Sequence, residues 1–245
     1  MNNFTFSYFF SFFVSFFNLN RFERYGFIDD CRIIAMKDFV IIGNKAVNGG
    51  KISLNDLPGS AGRMDVLCRC VTSALFISFG MRRDVNVWLI LKGEPGPDKI
   101  VRFNGETMRM LNPDERSSGS LIQKALLIDA ADVEKQSTPG VFVRYGKLEQ
   151  LLGEISEKSR PLFYLKEDGA DVFEMIQNQQ SAALLENGVY ILGDNQGVFE
   201  DDEKTIEGAG ASKISVGPIS LLSSQCVTLI LNALDRAMPN ELVNE

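Results

Sequence analysis

The 245-residue sequence contains no histidine. That absence removes Ser-His-Asp and Cys-His nucleophile systems, His-ligated zinc and imidazole acid-base chemistry. Catalysis must then rest on carboxylates, lysine, tyrosine, cysteine, or a cofactor that carries the reactive group itself. Cysteine is also scarce. Cys31, Cys68, Cys70 and Cys226 lack the spacing of a disulfide framework, which points to a reducing, cytoplasmic setting. Cys68-x-Cys70 is too short for a zinc knuckle and has no second ligand pair, so no metal is expected. The uncharged apolar-aromatic stretch Phe4–Phe17 spans about 14 residues, short of the ~20 that a membrane-spanning helix needs.

What is present is unevenly spread. Ten of the eighteen phenylalanines fall between Phe4 and Phe27. No lysine or arginine precedes this run and no small-residue cleavage site follows it, so a secretory signal fits poorly. Met36 can serve as an initiator. Residues 1–35 therefore read as the product of a start codon placed too early, with a membrane-associating leader as the alternative, and the fold is sought in residues 36–240 as one domain. The net charge of −7 speaks against general affinity for nucleic acid. Yet residues 36–124 carry 13 Lys/Arg against 9 Asp/Glu, whereas residues 125–245 carry 9 against 20. The basic half permits a local cationic face for phosphate contacts; a merely uneven surface is the plainer explanation.

From Met36 onward, strands alternate with helical patterns. Phe39–Ile42 is a buried strand ending on Gly43, and the polar, glycine-rich loop from Asn48 to Gly59 follows. Met64, Leu67, Cys68, Val71, Leu75 and Phe79 form a helical stripe over Met64–Phe79. Val85–Leu91 and Lys99–Phe103 read as strands, and Ser117 or Ser118 as the cap of a helix reaching Ala131. Val141–Arg144, Pro161–Leu165, Val189–Leu192 and Lys213–Val216 are further strands. Lys147–Glu157 and Cys226–Arg236 are helical, and the acidic run Glu200–Glu203 is a solvated helix start. This alternation predicts an α/β domain with a mainly parallel sheet.

Three strand ends carry loops: Leu165–Gly169, Leu192–Gly197 and Val216–Ser220. Glycine in such loops lets backbone amides approach a ligand at the carboxyl edge of a parallel sheet, although ordinary turns explain the same spacing. The wording is more specific than the spacing. Leu192-Gly193-Asp194-x-x-Gly197, Ser215-Val216-Gly217-Pro218 and Leu221-Leu222-Ser223-Ser224-x-Cys226 resemble the cofactor-binding end of SPOUT methyltransferases. The blocks from Leu54 to Gly59, Ala61-Gly62-Arg63-Met64-Asp65, Cys68-Arg69-Cys70 and Leu111 to Ser117 are similar to those of the archaeal tRNA pseudouridine-54 N1-methyltransferase family.

This resemblance covers Met36 to Arg236. It implies the SPOUT fold, in which the last strands and helix thread into a carboxyl-terminal trefoil knot, a rare exception to unknotted connections. It also implies a homodimer, tRNA as substrate, and S-adenosyl-L-methionine held by Leu165, Gly193, Ile214, Val216, Gly217, Pro218, Leu221 and Cys226. Each position has a plainer reading: Leu165 and Leu221 as core, Pro218 as a helix-start proline, Cys226 as a buried small hydrophobe. Asn195 and Gln225 stand where the family commonly has histidine, and neither replacement titrates. Methylation of another RNA nucleotide is therefore one alternative, and a non-catalytic RNA-binding protein of the same fold is another.

The implied chemistry tolerates the missing histidine, because a sulfonium already makes its methyl group electrophilic. A uracil-type ring N–H must lose its proton, and Asp65 is the candidate base or orienting group. Beside it, Arg63 would steady negative charge on the ring carbonyls or hold a phosphate. Ordinary helix-dipole pairing also explains Asp65. Arg116 stands at a helix start, where a cation is unfavoured, and is read as a phosphate contact. Arg63, Arg82, Arg83 and Arg116 are the leading RNA-binding residues.

Overall fold

The run Phe39-Val40-Ile41-Ile42 is apolar at every position, which suits a strand covered on both faces. In the computed structural model, which describes residues 36–49 and 52–237, this run forms β1 (Lys37–Gly43), buried along its whole length. The Phe-rich stretch and Cys31 lie outside the described residues. On one side β1 pairs in parallel with β4 (Val85–Leu91), on the other with β9 (Val189–Gly193). Beyond β9 come β8 (Leu162–Asp171) and β10 (Ser212–Ser215), again parallel. Beyond β4 the sheet turns antiparallel through β5 (Lys99–Asn104), β7 (Val141–Tyr145) and β6 (Lys135–Thr138). The order is β10-β8-β9-β1-β4-β5-β7-β6, so five parallel strands carry a three-stranded antiparallel flank.

Alternation of side chains along the strands sorts the helices into two layers. Phe39, Ile41, Leu89 and Tyr190 face α2 (Met64–Leu75), α3 (Glu115–Leu126) and α8 (Ser223–Ala237). Val40, Ile42, Ile90 and Ile191 face α4 (Leu148–Ser156) and α7 (Glu200–Gly208). Shorter helices are α1 (Leu57–Ser60), α5 (Val172–Met175) and α6 (Gln179–Glu186). Phe39 and Phe163 stack on Tyr190 at 5.1 and 5.5 Å, while the Tyr190 hydroxyl donates to the Leu185 carbonyl. Among the described residues, no helix is long and apolar enough to cross a membrane.

Three boundaries differ from the sequence expectation. The stripe through Phe79 stops at Leu75, because Phe76–Ile77 and Gly80–Met81 pair as a short antiparallel hairpin, β2–β3. The third helix starts at Glu115 and ends at Leu126: the Asp114 carboxylate accepts from the Ser117 amide at 2.7 Å, so Asp114 is the cap, not Ser117 or Ser118. β8 runs past Leu165 to Asp171, but it does not stay in register. Lys213 of β10 lies opposite Tyr164, and the next residue, Ile214, opposite Ala170. The intervening Leu165–Gly169 arches out, and a Cβ on Gly169 would lie 2.5 Å from the Ile214 backbone. Only glycine allows two backbones to cross so closely.

At the amino edge of the sheet, the Lys37 ammonium lies 2.7 Å from Asp84 and 2.8 Å from Glu186. Burial pulls this ammonium down, but hydrogen bonds and charge from the two carboxylates outweigh burial and hold it above its ordinary value. Lys37→Met leaves both carboxylates facing each other with no cation between. The expected loss is ~3 kcal/mol at neutral pH. Because the ammonium is held above its unfolded value, its contribution is full below that value and is lost as pH rises through the folded one, so the deficit should hold from neutral pH to ~10 and shrink beyond it. Urea unfolding of both proteins at neutral and alkaline pH checks this; a deficit that grows with alkalinity contradicts it.

Candidate functional site

The site lies at the carboxyl edge of the parallel strands, where β1, β9 and β10 each end in a turn. The turn after β9 folds back on itself: the Gly197 amide donates to the Asp194 carbonyl at 3.1 Å. A Cβ on Gly193 would lie 2.2 Å from the Gly197 carbonyl carbon and oxygen, and Gly197 itself has φ +73°. The turn after β10 is tied by the Ser215 hydroxyl, which donates to the Gly217 carbonyl at 2.8 Å and accepts from the Gly217 amide at 3.0 Å. Gly217 has φ +140° and open space where its Cβ would stand. The two glycines thus serve different ends. Gly193 is required by its own turn, Gly217 by its backbone angle and the space beside it.

Between these turns is a cavity of about 130 Å³ lined largely by backbone and apolar groups, with Lys166, Glu167 and Asp194 as its charged residues. Of the eight positions assigned to cofactor by the resemblance, Leu165, Gly193, Ile214, Val216, Gly217, Leu221 and Cys226 line it. Pro218 is exposed and is not among the lining residues. α8 closes one side. Its Ser223 hydroxyl donates to the Gly193 carbonyl at 2.6 Å, and Gln225 caps the helix start by accepting from the Leu222 amide at 3.0 Å. Asn195 is exposed. Burial, with the Glu167 carboxylate adding, pushes the Cys226 thiol up to about 11, and burial takes Cys70 up to about 12. Both are therefore thiols at neutral pH and poor nucleophiles.

Two acidic lining residues, Asp194 and Glu167, had no role assigned from the sequence. Asp194 is 7 % exposed, and its carboxylate accepts from the Asn44 amide at 2.7 Å, the Asn44 side-chain Nδ2 at 3.0 Å and the Gln196 amide at 2.8 Å. Asn44 Nδ2 also donates to the Gly197 carbonyl at 2.9 Å, so the residue after β1 grips both ends of the turn after β9. A polar residue directly after a strand-ending glycine, Gly43-Asn44, was the available signal. Glu167 accepts from the Ser220 hydroxyl, and this hydrogen bond is the main reason its carboxyl lies below the ordinary range.

A second cluster adjoins the first at the start of α2. Gly62 and Arg63 both take left-handed backbone, φ +62° and +64°, and a Cβ on Gly62 would lie 1.8 Å from the Lys45 carbonyl oxygen. For arginine this conformation is uncommon and strained. It turns the Arg63 guanidinium back on Asp65: Nε to Oδ1 at 2.9 Å, Nη2 to Oδ2 at 3.0 Å. Arg69 adds a bond to Asp65 Oδ2 at 2.8 Å and reaches Glu115 of α3 at 2.8 Å. Burial pushes the Asp65 carboxyl up, but hydrogen bonds and charge from Arg63 and Arg69 prevail and leave it below the ordinary carboxylate range. Arg63 is held above its usual value by Asp65 first, with Asp194 acting in the same direction. Arg116 lies one residue beyond Glu115, its guanidinium donating to Asn55 Oδ1 at 2.5 Å.

The four arginines expected to meet RNA together do not share one edge. Arg82 and Arg83 precede β4, which runs parallel to β1, so they sit at the amino edge of the sheet. A seven-residue strand separates the edges by roughly 20 Å. Arg82 is paired with Asp235 of α8, and Arg83 donates to the carbonyls of Gly105 and Met108. Both are engaged by the protein itself. Among the described residues, no group of three or more His, Cys, Asp or Glu is placed to hold a metal ion.

Residues 36–238 match the family described as "Putative SAM-dependent RNA methyltransferase". The chain is 61 % identical over 202 residues to the tRNA (pseudouridine(54)-N(1))-methyltransferase of Methanosarcina mazei, covering 82 % of this chain and 92 % of that protein. It is 54 % identical over 201 residues to the protein of the same name from Methanococcoides burtonii, covering 82 % and 96 %. In fold it is similar to the crystal structure of Archaeoglobus fulgidus Nep1 bound to S-adenosylhomocysteine. That match has a TM-score of 0.52 at 15 % identity, and covers 83 % of this chain and 98 % of the other.

The turn after β9 gives a stability test. In Gly193→Ala the new methyl meets the Gly197 backbone and the turn must open, for an expected loss of ~3 kcal/mol. Gly197→Ala meets nothing within 4 Å and should lose only the ~1 kcal/mol of left-handed backbone strain. Denaturant unfolding measures both, and the reverse order would contradict this account of the turn.

Proposed function

The chain belongs to the tRNA (pseudouridine(54)-N(1))-methyltransferase family, and from that premise we propose how its own residues carry the reaction. The enzyme methylates N1 of pseudouridine 54 in tRNA, with S-adenosyl-L-methionine as cofactor. The observation that carries the reading is the convergence of the turns after β9 and β10 on one cavity beside the Arg63–Asp65 pair. When bound, S-adenosylmethionine supplies a methyl group made electrophilic by its sulfonium. The cavity fits such a group: apolar Leu165, Ile214, Val216 and Leu221 suit a flat base, and glycine backbone replaces side chains on its wall. The open space beside Gly217 is where any side chain would intrude.

Pseudouridine gives up its N1 proton to solvent water as the methyl bond forms, and negative charge develops on the ring carbonyls before that proton is lost to bulk. Arg63 is the group that stabilises this charge. Asp65 holds Arg63 by two parallel hydrogen bonds, a geometry that fixes the guanidinium plane. With its carboxyl held low by two guanidiniums, Asp65 is a poor proton acceptor and acts as an orienting group. Arg116 and the exposed Lys45 extend the cationic edge toward RNA phosphate. Arg82 and Arg83, across the sheet, serve the fold.

Four further readings accompany this one. The reading of a knotted carboxyl-terminal segment is supported by the arch of Leu165–Gly169 at Ile214 and by the bond that Ser223 of α8 makes to the end of β9. The enzyme is a homodimer, supported by Ile219, Leu221 and Leu222, which expose apolar surface beside the cavity. The free thiols of Cys68, Cys70 and Cys226 support a cytoplasmic setting. The methyltransferase domain is residues 36–240. Removing residues 1–35 should therefore leave a folded dimer, read by sedimentation equilibrium; a monomer or an aggregate contradicts that pair of readings.

The activity is tested by nucleoside mass spectrometry on tRNA incubated with enzyme and labelled cofactor, using transcripts with pseudouridine or uridine at position 54. Label should enter only the pseudouridine transcript, as N1-methylpseudouridine. Asp65→Asn should lower the single-turnover rate by about tenfold and keep the shape of the pH profile. A general base would show the larger ~10²–10⁴-fold loss together with an altered profile, and that result would return the proton transfer to Asp65.

A further inference from the structure

Three carboxylates at the carboxyl edge, Asp65, Glu115 and Asp194, are met differently by Arg63 and Arg69. Asp65 takes both guanidiniums directly and Glu115 shares Arg69. Asp194 is left with neutral partners: the Asn44 amide, the Asn44 side chain and the Gln196 amide. It is also the buried carboxylate of the cavity wall. The other acidic lining residue, Glu167, is exposed and bonded to Ser220, and Lys166 of the same wall is paired with Glu203. A buried carboxylate in a cavity wall, hydrogen-bonded only by neutral groups, attracts a cation that enters that cavity.

We propose that Asp194, held in place by Asn44, is a specificity-determining residue that distinguishes the positively charged cofactor from its product. The inference rests on the cofactor pocket assigned above. Methyl transfer turns a sulfonium into a neutral thioether, so the charge that Asp194 reads disappears in the reaction. The product then loses an attraction that the incoming cofactor keeps, which favours release and exchange. Asn44 is the positioning residue. Its backbone and side chain bond both carboxylate oxygens and the Gly197 carbonyl, so the carboxylate cannot swing away to water.

The test compares three ligands by calorimetry: S-adenosylmethionine, S-adenosylhomocysteine, and sinefungin, in which an ammonium-bearing carbon replaces the methylsulfonium. At an effective dielectric of ~20, one charge across a small cavity changes affinity by roughly tenfold. The wild-type protein should therefore bind the two cations about tenfold more tightly than S-adenosylhomocysteine. Asp194→Asn and Asp194→Ser should remove that advantage: any loss from loosening the turn falls on all three ligands, and the two cations should lose about tenfold more than S-adenosylhomocysteine does. A purely structural role would weaken all three ligands alike, and that outcome overturns the proposal. Parity among the ligands on wild-type protein also overturns it, even if neither variant folds. Failure of the pocket itself reads differently: none of the three would bind, or all would bind unchanged in Gly193→Val.

Discussion

A carboxylate withdrawn from water must be met by donors, or it takes up a proton and loses its charge. Asp194 and Asp65 are both in that position, 7 % and 3 % exposed. They meet the demand in opposite ways. Asp194 is satisfied by neutral N–H groups, Asp65 by two guanidiniums. Because the donors to Asp194 come from residues 44 and 196, that buried charge fixes how the end of β1 stands to the turn after β9. The donors to Asp65 come from residues 63 and 69 of its own helix, so it holds the left-handed start of α2 against the helix body and, through Arg69, against Glu115 of α3.

The sheet was legible because its central strands are rich in apolar residues, and two of them, β1 and β9, end on glycine. Val85–Leu91 is recovered residue for residue, and β1, β5, β7, β9 and β10 shift by a residue or two at most at either end. Polar Lys135–Thr138 gave no such signal. It is a strand because it lies against β7, and only tertiary pairing supplies that. Helix limits were less secure where a competing contact decided them: Asp114 took the cap from the serines, and the β2–β3 hairpin cut α2 short.

The site was legible in its composition and hidden in its pairings. Seven of eight expected cofactor positions line one cavity, since short loops after parallel strands have only one edge at which to meet. Asn44 and Asp194 are 150 residues apart, and nothing local in either stretch names the other. The arginines show the converse. Arg82 and Arg83 lie near Arg63 in sequence, yet α2 carries the chain back across the sheet before they occur. A tally of charge along the chain cannot separate the two edges. The αL backbone at Arg63 is likewise invisible in sequence, although the glycine before it is the residue that such a turn favours.

The two outermost strands, β10 and β6, are each four residues long, and each has a register shift. An open sheet of eight strands exposes unpaired amides and carbonyls at both margins, which are templates for the edge of another molecule. A short strand offers few of those groups, and a broken register bends them out of the straight line that a second strand would follow. The irregularity at Ile214 therefore has a second consequence besides making room for Gly169. It renders the sheet a poor seed for edge-to-edge aggregation, and the irregularity in β6 does the same at the far margin.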